Sequence, residues 1–514
     1  MIKKLPDRLI SDWPILLIAF FNVIIHMAVA GNFEYHRDEL LYFSLGAHPA
    51  AGYATVPPLI GLTARVVQIV FGYSVYAVRL VPALFSGIMT FLSARIAKEL
   101  GGSRYAMILS AVGMGISGFG LRTFCMFQPV FYDVFFWTLC LYVLLKYVNS
   151  SDDRYLLSFG IVAGMALLNK YLVGVMFAGL LVIIPFTRYR KIFASKWFWA
   201  GILCGFLIFL PNIIWQVRMG LPVINHMSEL NRTQLVHVNR LVFFLEQFFM
   251  CSVSSVLAVA GIIYILVNRK AASYRFFGFL VLFVIVTLML LRGKSYYTIG
   301  LYPFLFAAGA VSYEGQIRKA WTRWFFPLLL VVASLPFLPL GLPVMKSDGM
   351  VKYFNMLEKN YGIEMGRRFE DNSIHSLPQD YADMIGWGQL AEVADSAWKM
   401  IDDKKSAFIY CENYGQAGAV TVIGKKYGLP EAVCFSESFR YWFPHTFDPD
   451  IKSMVYINNR EPGNDVKTFF RKVKRIGGIT DPNAREYGTG VYLCLDPVDS
   501  FNRFWVLRTQ DMIR

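Results

Sequence analysis

The sequence predicts a polytopic α-helical membrane protein with a soluble α/β domain at its C-terminal end. Of its 514 residues, 56% are hydrophobic and only 17% are charged, which is more apolar surface than one soluble core can bury. Long apolar runs fill the chain up to about residue 343, and the remainder is richer in polar residues and glycine. We therefore expect a membrane domain over residues 1–343 and a soluble domain over residues 344–514.

Apolar runs suited to membrane-spanning helices, which need about 20 residues each, occur eleven times. The first begins at Trp13 and lacks the short apolar core and cleavage site of a signal peptide, so we expect it to be retained. The predicted spans are 13–31, 75–98, 105–122, 129–148, 155–169, 171–187, 197–215, 241–267, 276–291, 298–313 and 325–343.

Most positive charges in the connections fall on one side of the predicted membrane, the side of the N-terminus. By the positive-inside rule this side is cytoplasmic, and an odd number of spans then puts residues 344–514 outside. The same distribution explains the formal net charge of +15 without a nucleic-acid partner. The residues concerned are Lys3, Lys4, Arg8, Lys98, Arg104, Arg154, Arg188, Arg190, Lys191, Lys196, Arg269, Lys270, Arg275, Arg318, Lys319 and Arg323.

The two largest regions outside the membrane in this prediction are the first outside loop and the C-terminal domain. The first outside loop, residues 32–74, is semi-apolar and suits short helices in the membrane interface. The C-terminal domain alternates predicted strands and helices, which indicates a small parallel α/β sheet. Its strands are expected at 407–410, 454–457 and 491–495, and its helices at 416–427 and 466–475.

An acid pair, Asp38 and Glu39, stands in the first outside loop, directly after the first apolar span. In a helix these neighbours project about 100° apart, so we expect only one to face a reacting centre. A carboxylate held there by Arg37 or His36 suits a general base that deprotonates a hydroxyl. The alternative is an acid pair that stabilises the start of an interfacial helix through its dipole.

Another unusual acid, Asp133, lies one turn inside the outer end of the fourth apolar span. A charge at that depth needs a partner or a function. Two interpretations stay open. Asp133 takes part in chemistry, or it pairs with an arginine such as Arg79 or Arg122 and fixes the packing of the helices.

Cations also collect at outer span ends, where the positive-inside rule predicts few. Together with the acids they suit a site that binds a phosphate, and Tyr296 and Tyr297 beside Lys294 add hydroxyl donors and aromatic rings. Alternatively, each single cation is a membrane anchor, with its aliphatic side-chain carbons in the lipid and its charged group at the membrane interface. The cations are Arg37, Arg122, Lys170, Arg218, Arg292 and Lys294.

No cofactor is predicted from the remaining motifs. The histidines show neither an HExxH pattern nor a close ligand pair, although His36 beside the acids leaves a divalent metal open as an alternative. The segment Asn413-Tyr414-Gly415-Gln416-Ala417-Gly418 lacks the glycine patterns of phosphate-binding loops. We interpret it as a tight turn from a strand into a helix.

The order of these motifs resembles that of bacterial membrane glycosyltransferases of family 39, which are similar to the dolichyl-phosphate-mannose protein mannosyltransferases and to the aminoarabinose transferase of lipid A. The resemblance covers nearly the whole chain, and its specificity lies in the order of the motifs. The segments that carry it are the acid pair followed by Gly52-Tyr53 and Pro57-Pro58-Leu59, then Asp133, Asn169-Lys170-Tyr171, Pro211-Asn212-Ile213-Ile214-Trp215, Lys294-Ser295-Tyr296-Tyr297, Leu301-Tyr302-Pro303, Leu377-Pro378-Gln379-Asp380-Tyr381-Ala382-Asp383 and Asn413 to Gly418.

This resemblance implies a GT-C fold, a polyprenyl-phosphate-linked sugar donor and a lipid, glycan or protein acceptor at the outer face of the cytoplasmic membrane. It maps the catalytic aspartate of the family onto Asp38, with Glu39 as its neighbour, and a second acid onto Asp133. It implies that Lys170, Lys294, Tyr296 and Tyr297, which match the family motifs, bind the donor phosphate. Arg37 and Arg292 are assigned to the same phosphate only because they lie near these motifs in the sequence.

The rival from another class is a transporter or flippase of an anionic lipid, which also needs cations and acids among its helices. It predicts repeated half-spans with charges near the middle of the membrane. The charges here cluster at the outer ends and no repeat is visible, so we favour the enzyme.

Overall fold

The computed structural model describes residues 12–317, 319–364, 366–369 and 373–513. Four of the residues that predict a cytoplasmic N-terminus lie outside these ranges, namely Lys3, Lys4, Arg8 and Arg318. The chain divides into two compact units. The first consists of Met1–Ala30, Val56–Leu59 and Arg79–Leu342, and the second of Gly31–Thr55, Ile60–Val78 and Pro343–Arg514.

The described residues of the first unit form helices and the turns that connect them, without a strand. Several helices run into short 3₁₀ turns, as at Ile184–Phe186, where Pro185 removes a backbone donor. Its α-helices are Trp13–Val29, Val75–Glu99 (all but the first turn), Arg104–Gly115, Gly118–Thr123, Pro129–Ser150, Arg154–Leu167, Gly174–Ile183, Lys196–Arg218, Pro222–Thr233, Arg240–Phe249, Ser255–Val267, Arg275–Leu290, Tyr302–Gln316, Ala320–Ser334 and Leu338–Gly341.

Small residues bring helices of the first unit into close contact. Helices Arg154–Leu167 and Lys196–Arg218 meet at glycines, and a Cβ atom on Gly160 would lie 2.1 Å from the carbonyl oxygen of Gly201. Apolar helices in lipid gain stability from such close packing, because the hydrocarbon around them offers no hydrophobic driving force.

Five helices are long and apolar enough to cross a membrane, or seven if each of two bent pairs counts as one span, among the residues that the structure describes. The predicted span 241–267 is one such pair, because Arg240–Phe249 and Ser252–Val267 meet at an angle of 94°. Two other predicted spans, 13–31 and 155–169, correspond to shorter apolar helices, Trp13–Val29 and Arg154–Leu167. The multi-helical membrane character thus agrees with the sequence, and the number eleven stays a prediction.

The second unit contains a four-stranded mixed sheet. Its strands are β1 (Ala407–Cys411), β2 (Ser453–Asn458), β3 (Phe470–Gly478) and β4 (Gly490–Pro497). They lie in the order β1-β2-β4-β3, with β1 and β2 parallel and β4 antiparallel to both β2 and β3. The helices are Arg37–Ser44, Leu59–Phe71 (from its second residue), Ser347–Tyr361, Gln379–Ala382, Trp387–Lys399, Tyr414–Gly418, Asn464–Phe469 and Ser500–Ile513.

All three predicted strands are confirmed, but the prediction of a purely parallel sheet is wrong. The predicted helix 466–475 ends at Phe469, and the chain continues as β3. Apolar residues three apart in this segment suggested a helix, yet pairing with β4 decides its conformation, because strand preference depends strongly on the neighbouring strand.

Candidate active site

Lys170 lies at the centre of a cluster in the first unit. Its Nζ is 3.9 Å from Oδ2 of Asp133, and it lies 5.3 and 4.8 Å from the ring centroids of Tyr296 and Tyr297. The Asp133 side chain is 8% exposed and that of Lys170 is 26% exposed, so the cation is the more accessible partner. The structure therefore brings together four of the predicted site residues.

The helix Pro129–Ser150 and the 3₁₀ helix Ser295–Leu301 position the acid and the tyrosines. Trp137 donates from Nε1 to Oδ1 of Asp133 at 3.0 Å, and Thr138 donates to the carbonyl oxygen of Gly300 at 3.0 Å. A Cβ atom on Gly300 would lie 2.4 Å from that of Trp137, so these two elements are in direct contact. Gly300 thus lets the 3₁₀ helix that carries the tyrosines pack closely against the helix that carries Asp133.

The turn Asn169-Lys170-Tyr171 is fastened on both sides of the lysine. Asn169 donates from Nδ2 to the carbonyl oxygen of Pro129 at 3.1 Å, and the Tyr171 hydroxyl donates to Oδ1 of Asn212 at 2.7 Å. Asn212 belongs to the Pro-Asn-Ile-Ile-Trp segment of the sequence resemblance. Two of the motifs are thus joined by a hydrogen bond, which restricts where the Lys170 stem can point.

Other cations of the first unit take different positions. Lys294 is close enough to Lys170 for their charges to interact. Arg292 is exposed and donates from Nη1 to the carbonyl oxygen of Val236 at 2.9 Å. Arg79, one alternative partner for Asp133, donates to the carbonyl oxygen of Ala30 at 2.7 Å.

The acid pair of the second unit is divided between two roles. His36 and Glu39 form a capping box at the start of helix Arg37–Ser44, in which Oε2 of the fully buried Glu39 accepts from the His36 backbone amide at 2.8 Å. Asp38 is partly exposed, and its amide donates to Nδ1 of His36. Glu39 thus has the helix-stabilising contact that the sequence left open as an alternative, and Asp38 is the more accessible acid.

Asp38 contacts the turn after β1. The Tyr414 hydroxyl donates to its Oδ1 at 2.9 Å, and the Arg37 guanidinium lies 4.4 Å from the centroid of the Tyr414 ring. Sequence reasoning singled out this turn but gave Tyr414 no role, because nothing local indicates a contact with a residue 376 positions earlier.

Asp383, from the Leu-Pro-Gln-Asp-Tyr-Ala-Asp segment, holds the start of the helix that carries Asp38. Its carbonyl oxygen accepts from the Arg37 amide at 3.0 Å. Its Oδ2 lies 2.9 Å from Nη1 of Arg485 and 3.9 Å from Nε2 of His36. Burial raises the pKa of Asp383, and the charges of His36 and Arg485 act against that shift.

The described residues contain no group of three or more His, Cys, Asp or Glu side chains arranged for a metal ion. A cleft of about 610 Å³ lies in the first unit between Tyr147 and Ser195. Its described lining includes none of the predicted site residues.

Comparisons with known proteins support the motif-based resemblance. Residues 55–215 match the model of the dolichyl-phosphate-mannose-protein mannosyltransferase family, which is less than half of the chain. No curated protein sequence is significantly similar to this chain.

Solved structures share the fold. ArnT from Cupriavidus metallidurans in the apo state aligns with a TM-score of 0.61 at 12% identity, over 94% of this chain and 98% of that one. The structure of the same protein bound to undecaprenyl phosphate aligns with a TM-score of 0.57, at the same identity and coverage. The mycobacterial arabinofuranosyltransferase AftD gives 0.53 at 12% identity, over 96% of this chain and 40% of that one. The chain thus shares the GT-C fold of these solved structures, and its residues 55–215 are similar to the mannosyltransferase family.

Proposed function

We propose that this protein transfers a sugar from a polyprenyl-phosphate donor to an acceptor at the outer face of the cytoplasmic membrane. The observation that carries the proposal is the Lys170 cluster, in which a partly exposed cation stands between a buried carboxylate and two tyrosine rings. The undecaprenyl phosphate in one structural neighbour supports a donor of this chemical class.

The cluster suits the head of a lipid phosphate. Lysine and tyrosine supply N–H and O–H donors for phosphate oxygens, and charge-assisted hydrogen bonds are the stronger kind. Lys294 adds positive charge near Lys170, which a bound phosphate would offset. We assign the donor phosphate to Lys170, Lys294, Tyr296 and Tyr297, and give Arg37 and Arg292 a lesser part.

The donor stays in the membrane during transfer in this proposal. Moving its isoprenoid chain into water would cost about 0.8 kcal/mol for each methylene-sized group. Only the sugar and the phosphate therefore need to contact the protein, at the outer lipid–water boundary. The proposed orientation has a cytoplasmic N-terminus and places residues 344–514 outside.

Asp38 is the proposed general base. The acceptor oxygen or nitrogen attacks the anomeric carbon as its proton passes to the Asp38 carboxylate, and the bond from that carbon to the phosphate oxygen breaks. Polyprenyl phosphate leaves as an anion stabilised by the cations, so it needs no proton from the protein. One displacement of this kind inverts the anomeric configuration.

Radiolabelled polyprenyl-phosphate sugars incubated with the purified protein and a bacterial membrane extract test this function. We expect label to appear in a lipid, glycan or protein fraction, with the anomeric configuration opposite to that of the donor. Unconsumed donor with every sugar tried, or retained configuration, would contradict the proposal. A flippase would move the donor without cleaving it.

A further inference from the structure

The turn after β1, Asn413 to Gly418, contacts the helix that carries Asp38 through a hydrogen bond and close packing within the second unit. We propose that Tyr414 is a positioning residue for Asp38, and that its hydroxyl holds the carboxylate in the orientation that accepts a proton. This inference rests on the proposed function, because it assumes that Asp38 is the base. It gives residues far along the chain a part in the chemistry of the first outside loop.

The hydrogen bond has the geometry and burial that such a role needs. The Tyr414 hydroxyl lies 2.9 Å from Oδ1 of Asp38, and Arg37 covers the ring of the tyrosine. Burial and the charge of Asp38 raise the pKa of Tyr414 well above its usual value, so the phenol remains protonated and continues to donate. A carboxylate fixed by such a donor samples fewer rotamers than a free one.

Glycines allow the turn to approach the helix at backbone distance. A Cβ atom on Gly415 would lie 2.7 Å from Cγ of Arg37 and 2.8 Å from Cη2 of Trp387. A Cβ atom on Gly418 would lie 2.7 Å from Cβ of Leu40. Both glycines thus face the helix Arg37–Ser44, which explains the sequence Tyr-Gly-Gln-Ala-Gly without a bound phosphate.

A buried carboxylate holds the turn from its other side. Glu486 is 6% exposed and accepts from Nε2 of Gln416 at 3.0 Å, from Oγ1 of Thr489 at 2.9 Å and from Nδ2 of Asn413 at 3.2 Å. Asn413 in turn caps the helix Tyr414–Gly418 by accepting from two backbone amides. Charged acceptors with several donors are strong local constraints, so Glu486 fixes the position from which Tyr414 donates.

The direct test compares Tyr414→Phe with wild type in the donor-consumption assay. Phenylalanine keeps the ring under Arg37 and removes only the hydroxyl. We expect kcat to fall about tenfold with the donor KM within twofold, because a carboxylate without this donor samples more orientations, fewer of which can accept the proton. Glu486→Gln should lower kcat in the same sense by about threefold, and Tyr361→Phe, at an exposed tyrosine, should match wild type.

A double variant and a chemical probe separate this inference from the function on which it rests. In an Asp38→Asn background, Tyr414→Phe should cause no further loss, whereas a full additional tenfold loss would overturn the positioning role. Carbodiimide–amine coupling read by peptide mass spectrometry needs no turnover, and Asp38 should react faster in Tyr414→Phe than in wild type. An unchanged coupling rate or an unchanged kcat in Tyr414→Phe would overturn the inference. Faster coupling in Tyr414→Phe, together with a wild type that transfers no sugar, would overturn only the proposed function.

Discussion

The two clusters that hold the candidate site residues are built in different ways. The Lys170 cluster of the first unit comes from the helix Pro129–Ser150, the turn Asn169-Lys170-Tyr171 and the 3₁₀ helix Ser295–Leu301, and its polar groups interrupt apolar sequence. The Asp38 cluster of the second unit depends on a capping box and on the turn after β1, whose contacts join distant parts of the sequence. A site of the first kind can be predicted from a sequence, because its charged residues interrupt apolar runs. A site of the second kind depends on contacts between distant residues, which only the tertiary structure shows.

Replacing Asp38 with Asn gives the largest expected effect. The proposed general base would be lost, so transfer should fall about 10²- to 10⁴-fold while donor binding stays unchanged. Transfer rates and the binding of a non-transferable donor analogue are the measurements. Asp402→Asn, at an exposed acid of the same unit, is the matched control and should keep wild-type rates. Near-normal turnover in Asp38→Asn would remove Asp38 from its role.

Replacing Lys170 with Met tests whether the first cluster binds phosphate or only fixes helix packing. We expect donor affinity to drop about 10- to 100-fold, because a charge-assisted contact is lost. The variant also leaves the buried Asp133 without its cation, which destabilises the fold. Adding Asp133→Asn should restore thermal stability but leave donor binding weak. Recovery of donor binding in the double variant would favour the packing interpretation.

Lys294 and Arg292 provide a finer comparison within the first unit. Lys294→Ala should weaken donor binding about tenfold, since its charge acts near Lys170. Arg292→Ala should change it less than threefold, because the guanidinium already donates to the carbonyl oxygen of Val236. Titration with the donor analogue measures both. Equal effects, or a larger effect for Arg292, would contradict the assignment of the phosphate.

The smallest expected effect concerns the stability of the second unit, at the contact between His48 and Glu431. Their side chains lie 3.0 Å apart, and His48 stacks on Trp442 with ring centroids 4.0 Å apart. The hydrogen bond from His48 lowers the pKa of Glu431, so its stabilisation is present above about pH 4.3 and is lost as the pH falls through the lowered value. His48→Phe keeps the stacking and should cost at most about 1 kcal/mol at neutral pH, because the pair is largely exposed.

Thermal unfolding of wild type and His48→Phe at several pH values makes that measurement. The difference in melting temperature should shrink as the medium becomes acidic. A difference that grows below pH 4 would mean that Glu431 does not contribute through its charge.

Much of the fold followed from the sequence, because apolar runs report burial in lipid directly. The membrane helices and three strands were predicted, whereas β3 was not, since its pairing with β4 overrides its apolar spacing. Asp133, Lys170 and the tyrosines were each recognised, yet Lys170 was not foreseen as the partner of Asp133. The contact of Tyr414 with Asp38 was missed because hydrogen bonds between distant residues leave no periodic pattern.

The stoichiometry of donor cleavage tests the central claim most directly. Proteoliposomes that contain the purified protein would receive a polyprenyl-phosphate sugar labelled in both parts, together with an extract that supplies the acceptor. We predict equal amounts of transferred sugar and free polyprenyl phosphate with wild type, and at most about one hundredth of either with Asp38→Asn. Recovery of the intact donor from wild-type proteoliposomes, on either side of the bilayer, would contradict the account.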